Sequence, residues 1–84
     1  MTRFWPQGLT IRVRADALAT PQTFTWDTAT HQVERVLRRW RIDQRWWEGR
    51  ICREYFLLRT ESGLLVTVYR NALTSDWYLQ RVYD

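Results

Sequence analysis

The chain has 84 residues, enough for one domain and too few for a second core. Its single cysteine excludes an internal disulfide and a thiolate metal site, and three scattered glycines exclude a glycine-rich phosphate loop. The net charge is +4, and all thirteen cationic side chains are arginine.

Residues 1–8 read as an N-terminal tail, with Trp5-Pro6 setting an extended start, and 9–84 as a single β-domain. Leu9–Arg14 alternates: Leu9, Ile11 and Val13 fall on one side, Thr10, Arg12 and Arg14 on the other, the pattern of a half-buried strand. Ala15–Pro21 connects. Thr23–Trp26 alternates again with Phe24 and Trp26 inward, and Asp27–Thr30 is turn-like.

His31–Ile42 carries two readings. Val33, Val36, Leu37 and Trp40 fall at i, i+3, i+4 and i+7, the stripe of an amphipathic helix, with Glu34 and Arg38 as an i,i+4 pair. The same residues suit a strand if a bulge near Arg35 resets the alternation. The hairpin signal before it and the β-rich remainder favour the bulged strand, with a short helix within 31–41 as the alternative.

A loop follows around Asp43–Gly49. Ile51–Thr60 and Leu64–Asn71 are strands joined by Glu61-Ser62-Gly63, with glycine where a positive φ is needed. The unbroken run Tyr55-Phe56-Leu57-Leu58 predicts a strand covered on both faces. Asn71–Asp76 turns, and Trp77–Tyr83 is the last strand. Five to six short strands in so few residues predict an all-β fold, a small, strongly bent antiparallel sheet or barrel of SH3-like or OB-like size.

A domain this small buries only roughly 60–65% of its unfolded surface, so most of its six Trp, four Tyr and three Phe are expected in the core. Met1–Pro6 lacks the apolar run of a leader, and no stretch approaches the ~18 apolar residues of a membrane span. With the lone Cys52, these features give the expectation of a soluble, cytoplasmic protein without membrane contact.

Catalysis is not expected. There is one histidine and no lysine, Cys52 falls inside a strand as a structural thiol, and no carboxylates pair in an apolar setting. Neither a cofactor nor a metal site is implied.

The charge is concentrated. Residues 31–53 hold seven arginines against three acids, which is the whole net charge of the chain. Within them Arg38, Arg39, Arg41, Arg45 and Arg50 interleave with Trp40, Trp46 and Trp47. Guanidinium groups that track phosphates and indole faces that stack bases are what single-stranded nucleic acid binding requires, at ~1–3 kcal/mol per stacked base. Trp46 and Trp47 point opposite ways in an extended segment, so one of them is a candidate stacking platform or partner anchor. Two other readings fit the same residues. One is a solvated face of arginine stems laid over core tryptophans; the other is a protein–protein interaction module, because Trp and Arg also dominate protein interfaces. Arginine in place of lysine throughout equally reflects a GC-rich coding sequence.

A longer pattern runs through Phe24-Thr25-Trp26, then Val33 to Trp40, Trp46-Trp47-Glu48, Arg53-Glu54-Tyr55-Phe56, Gly63, Val68-Tyr69-Arg70, and Trp77 to Asp84. It resembles the C-terminal segment of ImuB-type proteins, inactive Y-family polymerase relatives of the bacterial mutasome, and the small stand-alone family DUF6504 that shares this segment. The resemblance covers about residues 24–84 and rests on fold-determining aromatics and turns. It implies an accessory role in DNA-damage-induced, error-prone translesion synthesis, with DNA (single-stranded or primer–template) and a polymerase-like protein as partners. The chain lacks a polymerase palm and its metal-binding carboxylates, and Gln7-Gly8-Leu9-Thr10-Ile11 is a poor clamp-binding peptide. The expected function is a non-catalytic, DNA-contacting accessory module, with a protein-interaction module as the alternative.

Overall fold

A computed structural model describes residues 2–47 and 49–83, with the backbone but not the side chain of Trp46. Six antiparallel strands follow one another: β1 (Arg3–Ala15), β2 (Pro21–Trp26), β3 (Ala29–Trp46), β4 (Gly49–Thr60), β5 (Leu65–Asn71) and β6 (Trp77–Tyr83). Each pairs with its neighbour in sequence, and β1 pairs with β6 to close a barrel. No described residue is helical.

Alternation builds the core. Phe56 and Leu58 of β4, Val66 and Val68 of β5, Leu79 and Val82 of β6 and Phe24 of β2 form one buried cluster, with Ile11, Val13, Val33, Val36 and Trp26 packed against it. The remaining residues of the apolar run turn the other way: Tyr55 is only 5% exposed on the opposite side of β4, so that strand is covered on both faces as its composition predicts. Across that outer side a row of rings runs through four strands. Trp40 stacks on Tyr55, Tyr55 meets Tyr69 at a tilt of 34° and Tyr69 stacks on Tyr78, with centroids 5.3, 5.2 and 4.9 Å apart. Each is a directly opposed cross-strand pair, the arrangement in which rings on one sheet face reach each other.

Three segments differ from their sequence reading. The tail expected over 1–8 is strand from Arg3 onward. The register of β1 against β6 shifts between Phe4 and Leu9, so Pro6 and Gly8 sit in an irregular stretch instead of ending the strand, and Trp5 still packs against the core. The helix considered within 31–41 is strand. Its ladder with β4 skips Glu34 and Leu37, giving two bulges where one was expected. The loop expected over 43–49 is a continuous hairpin: Asp43 pairs with Cys52, Gln44 with Ile51, Arg45 with Arg50 and Trp46 with Gly49. Elsewhere the turn expected at 27–30 narrows to Asp27 and Thr28, both at positive φ as a two-residue hairpin connection demands.

This hairpin extends beyond the barrel. β5 pairs with β4 only from Arg53 onward, so the four residues from Gly49 to Cys52 and their β3 partners form a two-stranded arm roughly 10 Å long. The radius of gyration, 12.7 Å, exceeds the about 12 Å expected of a chain this size, and the longest dimension is 42 Å. β3 pairs with β2 only through residues 29–32, which leaves its far edge open along the rest of its length. Two bulges and five arginines on that stretch are the features that keep an open edge from adding strands.

Candidate nucleic-acid interface

All seven residues singled out by sequence lie on the β3–β4 ribbon or at its tip. Register divides the arginines between its two sides. Arg39, Arg41 and Arg45 of β3 and Arg50 of β4 share the core side, because Arg39 pairs with Phe56 and Arg45 with Arg50. Arg38 pairs with Leu57 on the outer side, where its guanidinium lies 5.1 Å over the Trp40 ring.

The core-side arginines are largely engaged. Arg39 donates to Glu54 at 2.8 Å while lying 5.0 Å over the Phe56 ring, so it covers one end of the core. Arg50 makes a two-pronged contact with Asp43 at 2.9 and 3.1 Å. That hydrogen bond holds the Asp43 carboxyl below the usual carboxylate range against the opposing effect of desolvation. Arg41 donates to the sulfur of buried Cys52 at 3.2 Å. Arg45 makes no side-chain hydrogen bond or ion pair among the described residues. Both exposed pairs are weakly stabilising at best, as screened surface ion pairs are.

Trp47 is 91% exposed at the tip, where it turns out of the ribbon. The expected division of the tryptophan pair therefore has its exposed member, whereas the Trp46 side chain lies outside the described residues.

The register also brings forward residues the sequence reading passed over. Arg35 stands directly opposite Arg59 on the outer side. Arg53, also on that side, lies 4.6 Å over the Tyr69 ring and donates to the Tyr55 hydroxyl at 3.2 Å. Arg59 follows Arg53 in the alternation of β4, but its partner in β3 is set by the two bulges. Tyr69 itself is pushed up by burial, and its hydroxyl donates to the Gln7 carbonyl at 2.8 Å, tying the β1 irregularity to the ring row.

Among the described residues there is no enclosed pocket and no group of three His, Cys, Asp or Glu side chains placed to hold a metal. The chemistry available is that of a surface: guanidinium forks, indole and phenol faces, and a projecting ribbon. No family model, curated protein or solved structure matches the chain.

Proposed function

We propose that the protein is a non-catalytic binding module whose β3–β4 arm contacts nucleic acid. The observation that carries this reading is the arm itself, a two-stranded ribbon outside the barrel that ends in an exposed tryptophan and carries Arg45, which makes no side-chain hydrogen bond or ion pair among the described residues. A folded domain has no packing use for a 91% exposed indole at a ribbon tip. Cations along such a ribbon neutralise phosphates, and an exposed indole stacks on a base. The resemblance of residues 24–84 to the mutasome segment supports assigning that contact to error-prone DNA synthesis, beside a polymerase-like partner.

The test separates binding from folding. Trp47→Ala and Arg45→Glu alter side chains that make no hydrogen bond or ion pair among the described residues, whereas reversing Arg39 would set two carboxylates against each other at Glu54. Both variants are expected to unfold like the parent and to bind labelled single-stranded DNA more weakly, by about 5- to 150-fold for loss of one stacked base at ~1–3 kcal/mol. Parent-like binding by both would remove the arm from the interface. Loss of a protein partner in a pull-down by Trp47→Ala, with DNA binding intact, would favour the protein-interaction reading.

A further inference from the structure

The two sides of the β3–β4 ribbon differ in their acids. Asp43 and Glu54 lie on the core side, where they take Arg50 and Arg39 as partners. The paired positions of the outer side, from Arg35 opposite Arg59 to Gln44 opposite Ile51, include no carboxylate. Arg35, Arg38, Arg53 and Arg59 therefore stand on a face without an acid in its ladder.

Arg35 and Arg59 are the most informative of these. Like charges directly opposite each other destabilise a sheet. Glu34 in the adjacent bulge and Glu61 in the β4–β5 turn form no ion pair with either arginine among the described residues. Arg38 and Arg53 are held over the rings of Trp40 and Tyr69. Stacking fixes the guanidinium plane and keeps N–H donors free for an anion.

We propose that this outer side is the track for the phosphates of a single-stranded nucleic acid, with Arg35 and Arg59 gripping one phosphate between them. The inference rests on the nucleic-acid reading above and adds to it a face, a strandedness and two residues. A phosphate between two opposed guanidiniums replaces a repulsion with charge-assisted hydrogen bonds. The cations recur along the ribbon, which matches a ligand carrying one charge per repeat. The strand is single because exposed Trp47 offers ring surface to an unpaired base, which a duplex keeps in its own stack.

The test is a titration of the full chain with a labelled oligodeoxythymidine of about 16 nucleotides and with a duplex of equal length, across a salt series. The parent is expected to bind the single strand more tightly than the duplex. The double variant Arg35→Gln/Arg59→Gln is expected to melt no lower than the parent, since it relieves a repulsion, and to lose the one phosphate held between them. Each neutralised phosphate contributes about 0.7 to the salt slope on a single strand, so the slope becomes shallower by about 0.7. A double variant with the parent's slope and affinity would overturn the proposal while leaving the arm reading standing, provided Trp47→Ala still weakens binding. Tighter binding of the duplex would overturn the single-strand assignment. No binding of either oligonucleotide at low salt would overturn both readings.

Discussion

A Cβ on Gly8 would stand 2.6 Å from Tyr78 Cβ and 2.9 Å from Tyr69 Cε2, and the residue's φ of +84° lies in the left-handed region. Gly8 thus lets the irregular part of β1 pass close against two rings of the outer row. Gly8→Ala meets both the contact and the strained backbone, and is expected to cost about 1–3 kcal/mol in urea unfolding; unchanged stability would contradict this packing. Phe56 is fully buried at the centre of the core, and Phe56→Ala should cost about 3–5 kcal/mol by the same measurement. Asp43 reports on the arm. Its carboxyl is held low in the folded chain by Arg50, so the stabilisation it provides is present above the unfolded value of about 3.9 and lost as pH falls through the lower folded value. An NMR titration should place Asp43 below an ordinary aspartate, and Arg50→Gln should move it back up. A titration that Arg50→Gln leaves in place would exclude this ion pair in solution.

At the level of elements, the arm and the barrel rest on different forces. β4 is flanked by β3 and β5 and covered on both sides from Tyr55 to Leu58, whereas the arm beyond Cys52, whose carbonyl accepts from Ala72 N–H, has only its own two strands. Isolated two-strand ribbons are marginal in water. Amide hydrogen exchange should therefore be slowest at residues 55–58, 66–69 and 79–82 and fastest in 44–51, and equal protection in the arm would show that something else holds it. The same contrast explains what the sequence made legible. Strands with one buried side, such as β2, announce themselves by alternation; β6 lies where it was read, although its ladder skips Gln80 and puts Leu79 and Val82 in the core at a spacing of three. Most of the arm lies beyond the reach of β5, so its polar residues and Gly49 look like a loop. In β3 the bulges at Glu34 and Leu37 lie three residues apart. They put Val33 and Val36 on the core side at a spacing of three and then send Trp40 to the outer side, which imitates a helical stripe in a chain that is extended throughout.

For the molecule as a whole, composition locates the charge but not its sides. The excess of arginine over 31–53 is plain in the sequence, yet which arginines are neutralised depends on register: Arg39 meets Glu54 and Arg50 meets Asp43, while Arg35 meets Arg59 across 24 positions of chain. A one-residue slip would exchange the two sides of the ribbon, so the two bulges decide which cations are left for a ligand. The arm then carries the exposed Trp47 beyond the barrel, while the excess of positive charge stays at its base, on Arg35, Arg38, Arg39, Arg41 and Arg53. The most direct test of this account is the salt dependence of the parent chain's affinity for single-stranded DNA. Contact with about four phosphates predicts a slope of log affinity against log salt near −3. Binding that does not change with salt, or no binding at low salt, would contradict it.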